Sequence, residues 1–398
     1  MSRAHVKTGL DILAEEDFKT IEGSRIGLVA NQTSVTSGLH YSFELLKESK
    51  KVILTCIFSP EHGLYGVAQD MVTVKDRRLQ IGRKARSLPV ISLYGKDERS
   101  LKPSKRDLDS IDCLLFDIQD VGARYYTFIS TMSYCMEACA EHGKRMIVLD
   151  RPNPINGISV EGPVLGKRYA SFVGRFPIPV RHGMTSGELA TLFKREYGIR
   201  CELDVIRMKG WKRDMWFDET ELPWTAPSPN MPSLATATVY LGTCLLEGTN
   251  LSEGRGTTKP FEYVGAPWID PGFFAAALND EKLPGVTFRP ILFSPKFHKW
   301  KDETCGGVHI FVTDRRIFKP FITGIAIVRT ALAQHPKKFR WRREAYEFVR
   351  DRIAFDLLAG SDKLRKLLGS AARLKDIESS WKADLAEFKR VRSRYLLY

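Results

Sequence analysis

Five apolar runs recur through the first 150 residues: Arg25–Ala30, Val52–Phe58, Pro89–Leu93, Ile111–Phe116 and Arg145–Leu149. In each, Val, Ile and Leu fill successive positions rather than every second one, the pattern of strands covered on both faces. Helical spacing falls between them, at Leu39–Ser49 and Tyr125–His142. Strand alternating with helix predicts an α/β fold whose N-terminal domain is a Rossmann-like parallel sheet. A helix is predicted at Thr185–Tyr197, with Thr185 or Ser186 as its cap and Glu188 in its first turn. Beyond it the pattern predicts a strand at Glu202–Met208, a helix at Leu234–Glu247, strands at Val286–Phe293 and Gly307–Thr313, and a helical remainder from Lys319 to Leu397. The Pro-rich stretch LDRPNPINGISVEGPVL, residues 149–165, interrupts the alternation. It sets the expected boundary: residues 1–160 as the Rossmann-like domain carrying the catalytic loops, and 161–398 as a second, C-terminal α/β domain closing the cleft.

Composition changes this picture little. The chain has 398 residues, 43% hydrophobic and 27% charged, long enough for two cores. No apolar window is long enough for a membrane span. The opening residues, MSRAHVKTGLDILAEEDF, lack the apolar core of an export signal, so a cytoplasmic location is expected. Seven scattered cysteines without a Cys-x-x-Cys pair fit small buried side chains in a reducing compartment rather than a zinc site. The net charge of +14 would attract anions. Its excess thickens in HPKKFRWRREAYEFVRDR (335–352) and FKRVRSRY (388–395), read as solvated helix faces, and nucleic acid is not an expected partner.

In an open parallel sheet, ligands gather beyond the carboxyl ends of the strands. The five predicted strands hand Asn31, then Glu61 with His62, then Tyr94, then Asp117 and Asp120 with Arg124, Tyr125 and Tyr126, and finally Asp150 with Arg151 to that rim. Glu61 is the sharpest candidate. Pro60 stiffens the turn before it, Gly63 permits a tight turn after it, and a partly desolvated carboxyl makes a usable general acid. The bland alternative is a surface Glu beside a surface His. Asp117 and Asp120 have one too, as acids bracing loops with Arg124 as partner. Arg181 and His182 precede a predicted helix N-terminus, where a carboxylate would be favoured; Arg181 could equally cap a loop. The loop EGTNLSEGRGT (247–257) brings Asn250, Glu253 and Arg255 among three glycines, but no Walker lysine, and GLVANQTS stands where a dinucleotide-binding glycine motif would be. Tyr125, Tyr126, Trp224, Phe261 and Trp268 are candidate platforms for sugar rings.

Several longer words carry a resemblance: GLVANQT (27–33), FSPEHG (58–63), LLFDIQDVGARYYTFISTM (114–132), LDRPNPING (149–157), FPIPVRHGMTSGELA (176–190), PSPNMP (227–232) and CLLEGTNLSEGRGTTKPFE (244–262). On these the chain resembles the exo-β-N-acetylmuramidases of the NamZ type. The resemblance implies a Rossmann-like domain, a second α/β domain, a pocket between them, and release of N-acetylmuramic acid from the non-reducing end of peptidoglycan fragments. It also implies a catalytic role for the Glu of PEHG, here Glu61. By chemistry, His62 would tune Glu61, and a second group would come from Asp120, Glu253 or a tyrosine, Tyr94, Tyr125 or Tyr126. Arg124, Arg181 and Arg255 are candidates for the lactyl carboxylate. Asn31, Tyr94, Tyr126, His182, Asn250 and Glu253 complete the expected contacts to substrate. No cofactor or metal is expected. The expected partner is a muramyl sugar or peptidoglycan fragment, and self-association into a homo-oligomer is compatible with the sequence. A metal-dependent hydrolase built on Glu61, His62, Asp117 and Asp120, and a non-catalytic binder of an anionic polymer, are the alternatives.

Overall fold

A computed structural model describes residues 5–80, 87–370 and 372–398. In chain order its strands are β1 (Arg25–Ala30), β2 (Ile53–Ser59), β3 (Arg77–Leu79), β4 (Leu88–Ser92), β5 (Cys113–Asp117), β6 (Arg145–Leu149), β7 (Glu161–Val164), β8 (Pro179–Arg181), β9 (Glu202–Ile206), β10 (Tyr263–Ala266), β11 (Val286–Phe293) and β12 (Cys305–Val312). Seven of them form one sheet in the order β3-β4-β2-β1-β5-β6-β9. All its pairings are parallel except β3 with β4. Without β3, this is the doubly wound order, with its switch point between β1 and β5.

The unbroken apolar runs cover both faces. Ile26, Leu28 and Ala30 of β1 point into a cluster with Leu10, Leu13, Phe43 and Leu46, from the helices Gly9–Glu15 and Ser42–Glu48. Val29, Phe58, Leu114 and Phe116 point the other way, onto the helix Phe128–Glu141. The helix Ser186–Glu196 begins on Thr185, whose side chain accepts from the Glu188 N–H while Glu188 reaches back, as its sequence predicts.

The sheet runs past the boundary expected at residue 160. β9 pairs with β6 from Arg145↔Glu202 to Leu149↔Ile206, so the segment after the Pro-rich stretch returns to add a strand. The C-terminal part carries the antiparallel sheet β10-β12-β11 and the helices Leu234–Thr243, Pro271–Asp280 and Pro320–Gln334. Two of these cross at glycines: a Cβ on Gly324 would lie 2.2 Å from the Gly242 carbonyl oxygen, so only a residue without a side chain allows the approach. A single apolar cluster runs from Phe116 and Phe128 to Phe321 and Phe355, joining the two parts through one core. The helical remainder expected after Lys319 holds for Pro320–Gln334 and again from Ala354, but the basic stretch between them is not helical. Its chain is pinned instead by backbone pairing, with the Asn250 N–H donating to the Arg340 carbonyl and the Arg342 N–H to the Gly248 carbonyl. No helix among the described residues is long and apolar enough to cross a membrane.

Candidate active site

The strand β2 delivers Ser59, and the chain then turns sharply. Pro60 is followed by Glu61, and His62 and Gly63 both take left-handed backbone angles, φ 70° and 78°. The turn costs a non-glycine residue some strain at His62, of the kind that persists where surrounding structure demands it. The His62 ring lies 2.9 Å from the Ala68 carbonyl through Nδ1, which ties the turn to the next loop. Glu61 is thereby held at 4% exposure. Its Oε2 accepts from the Thr127 hydroxyl at 2.7 Å and its Oε1 from the Met71 N–H at 3.4 Å.

Glu61 lines a cavity between the two parts of the chain. Asp70, Tyr125, Tyr126 and Thr127 share its N-terminal wall; Glu247, Arg255, Phe261, Tyr346 and Glu347 come from the C-terminal part. Glu347 sits in a left-handed conformation, φ 51°, and accepts a 2.7 Å hydrogen bond from the Tyr94 hydroxyl. Burial, then the neighbouring Glu61 charge, push its carboxyl well above the ordinary range.

Behind these two acids lies an ion-pair network. Arg255 donates to Glu247 at 2.8 Å and to Glu253 at 3.2 Å, and its Nε faces Asp70 at 3.3 Å. Lys299 donates to Glu253 at 2.9 Å. His298 bridges Asp70 and Glu253 at 3.6 and 3.3 Å. Those two acids raise its imidazole to about 9. Burial works against the charge on Asp70, but Arg255 and His298 outweigh it and hold the carboxyl at about 2. Replacing Arg255 by Lys keeps the charge and loses the planar fork that satisfies several acids at once. It is expected to cost about 2 kcal/mol of folding stability, measured by urea unfolding; a change below about 0.5 kcal/mol would show the network to be dispensable.

Of the residues proposed from sequence, Glu61, His62, Tyr125, Tyr126 and Arg255 line the cavity together. Tyr94 and Glu253 stand directly behind it, bonded to Glu347 and Arg255. The Tyr125 hydroxyl is spent on the Leu241 carbonyl, whereas that of Tyr126 has no hydrogen-bond partner among the described residues. The others are placed elsewhere. Arg124, 1% exposed, donates to the carbonyls of Pro163, Ile178 and Leu358 and so clamps three segments rather than a substrate. Arg181 donates to the Ile155 carbonyl. His182 is wholly buried; its Nδ1 accepts from the Met184 N–H and its Nε2 lies 3.5 Å from Asp120. Asp120 itself accepts from the Gly122 N–H at 2.7 Å, a turn brace. Asn31 accepts from the Thr33 N–H and hydroxyl. Asn250 spends its amide on the Lys338 carbonyl and the Arg340 N–H. Asp117 pairs with Arg151 at 2.7 Å, so the four side chains of the metal-hydrolase alternative are not gathered. Of the candidate platforms, Trp224 and Trp268 pack against Phe217 and His335, away from the cavity, while Phe261, Tyr125 and Tyr126 line it together with Tyr240 and Tyr346. Sequence reasoning missed Asp70, Thr127, Glu247, Tyr346 and Glu347. Asp70 lies a few residues beyond the PEHG turn. Thr127 and Glu247 stand within the shared words, beside more conspicuous side chains, and Tyr346 and Glu347 lie inside the basic run.

Two family models match the chain: exo-β-N-acetylmuramidase NamZ, N-terminal, over residues 26–235, and its C-terminal counterpart over 238–398. Their junction falls after β9, in keeping with the extent of the sheet. The chain is 45% identical over 393 residues to a Bacillus subtilis (strain 168) protein named peptidoglycan β-N-acetylmuramidase NamZ, covering 99% of this chain and 91% of that one. It is also similar to two crystal structures of DUF1343 family proteins from Bacteroides fragilis NCTC 9343. One has a TM-score of 0.88 at 36% identity, with both chains covered in full; the other has 0.74 at 30%, with 99% of each covered. The chain therefore belongs to the exo-β-N-acetylmuramidase NamZ family.

Proposed function

We propose that the chain removes N-acetylmuramic acid from the non-reducing end of peptidoglycan fragments, and that the bond is cleaved in the cavity around Glu61. Family membership supports the reaction. The observation that carries its location is that two carboxyl groups, Glu61 and Glu347, line one cavity from opposite parts of the chain.

Glycoside cleavage needs a proton on the departing oxygen and a second group that steadies the oxocarbenium-like centre or activates water. Glu61 is the acid/base of this reading, oriented by Thr127 and the Met71 amide. Glu347 is the second carboxyl, in the place considered for Asp120 or Glu253. Burial and the Glu61 charge hold its carboxyl well above the ordinary range. Tyr94 fixes Glu347 from behind. The unpartnered Tyr126 hydroxyl and the faces of Tyr125 and Phe261 are left for the sugar. Arg255, already surrounded by three carboxylates, positions those acids rather than receiving a fourth.

A chromogenic β-N-acetylmuramide offered beside the matching N-acetylglucosaminide tests the assignment. Hydrolysis of the first, with the second at least about tenfold slower in kcat/KM, is expected. Equal rates on both would remove the muramyl preference, and no hydrolysis of either would remove the reaction.

A further inference from the structure

The basic stretch read from sequence as a solvated helix face is instead a shelf beside the active cavity. Arg340–Arg342 pairs with 248–250, a bridge joining Thr249 to Trp341, so Arg340 and Arg342 share one side of the strip. With Trp300, His298 and Lys299 they line an open hollow of about 540 Å³. It shares a wall with the catalytic cavity: Arg342 lies 3.6 Å from the Met71 sulfur through Nη2, and the Met71 N–H donates to Glu61.

The cations of this hollow divide into two kinds. Lys299 and His298 are neutralised by Glu253 and Asp70. Arg340 and Arg342 form no ion pair among the described residues; their guanidinium groups reach protein carbonyls and the Met71 sulfur, and that of Arg342 lies 5.2 Å from the centre of the Tyr346 ring. Glu344, the acid at the rim, is exposed and accepts from the Arg343 N–H. Trp300 is held by its Nε1–H donating to the Asn250 carbonyl at 2.7 Å. His298 and Trp300 both take left-handed backbone angles, φ 69° and 58°. Two guanidinium groups without a carboxylate partner among the described residues, beside a fixed indole, match a sugar that carries a carboxylate, the charge on the guanidinium groups and the apolar ring face on the indole.

Resting on the muramidase reading, we propose that this hollow is a carboxylate-reading subsite, in which Arg340 and Arg342 bind a lactyl carboxylate of the substrate. The carboxylate belongs either to the residue being released or to the next muramyl residue along the glycan. Both sources present the same chemistry to the arginines.

The test compares the chromogenic muramide and a muramyl tetrasaccharide, each as the free acid and as the carboxyl amide, with wild type, Arg340→Ala, and Arg340→Ala with Arg342→Ala. The readout is the acid-to-amide ratio of kcat/KM, in which a loss of folded protein cancels. A fall of about tenfold in that ratio is expected for the double variant. If the fall occurs on the monosaccharide, the carboxylate is that of the released residue; if on the tetrasaccharide alone, it is the downstream one. A ratio unchanged for both substrates overturns the proposal. Calorimetric titration with N-acetylmuramic acid beside N-acetylglucosamine, in the absence of turnover, separates this from failure of the reaction itself. An inactive wild type whose preference for the acid falls in the variant would sink the muramidase reading and leave the subsite standing.

Discussion

Replacing Glu61 by Gln is expected to lower kcat on a chromogenic N-acetylmuramide by about 10³-fold. The substitution is nearly isosteric, so the fold should survive it. The turn that presents residue 61 is built by Pro60, His62 and Gly63, none of which changes. One acceptor remains for the Thr127 hydroxyl or the Met71 N–H, and losing the other costs about 1 kcal/mol. The thermal midpoint should therefore stay within a few degrees while the rate collapses, because an amide cannot supply the proton. A variant within about threefold of wild type in kcat would place the acid elsewhere in the cavity. Loss of rate accompanied by a large drop in midpoint would make Glu61 a structural residue.

Why Glu61 was legible, and Glu347 was not, has a physical basis. A residue at the end of a central strand has its place set by the sheet. The apolar run Val52–Phe58 therefore predicted both β2 and the position of the turn at its carboxyl end. Glu347 belongs to a stretch rich in Lys, Arg and Glu, which by propensity is an exposed helix. Tertiary contacts override that propensity. Pairing of 340–342 with 248–250 and insertion of the Tyr346 hydroxyl against Glu247 pin the stretch beside the cavity, and pairing of Tyr346 with Val349 closes a turn that presents Glu347. The same reasoning explains the misread arginines. Arg124 follows two acids at a strand end, which suggests a ligand, but a guanidinium at 1% exposure must find acceptors, and those at hand were three carbonyls. Asp120 and His182 likewise turn inward at the sheet edge, 3.5 Å apart, with Asp120 accepting from the Gly122 N–H.

The switch point of the sheet shows the same economy. Where a dinucleotide would enter between β1 and β5, the Ser34 hydroxyl donates to the Asp117 carbonyl, and the Gln119 N–H donates to Thr33. Arg151 pairs with Asp117 at 2.7 Å beside them. The architecture keeps the strand order and spends its rim on internal bonds, leaving the carboxyl end of β2 to face the C-terminal part. The boundary expected at residue 160 failed for a related reason. Prolines mark a break in local pattern, yet the chain beyond them still contributes β9 to the same sheet.

Replacing Glu347 by Gln should lower kcat by about 10²-fold and change the pH profile in a way a structural role would not. In the folded chain, burial and the Glu61 charge hold the Glu347 carboxyl well above the ordinary range, whereas an unfolded chain releases that proton near about 4.3. Between those values the folded state binds more protons. Stability is therefore highest below the unfolded value, and falls as pH rises through the window toward the folded one. Gln cannot ionise, so the variant should lose that slope and be at least as resistant to alkali as wild type in urea unfolding. It still accepts from the Tyr94 hydroxyl, which keeps the side chain in place. In activity, loss of the Glu347 proton gives wild type an alkaline limb. The residual kcat/KM of the variant should lack that limb. His298, raised to about 9 by Asp70 and Glu253, titrates in the same direction, but it is present in both proteins and cancels in the comparison. An unchanged alkaline limb, together with a kcat within about threefold of wild type, would show that the second carboxyl plays no part in the proton's path.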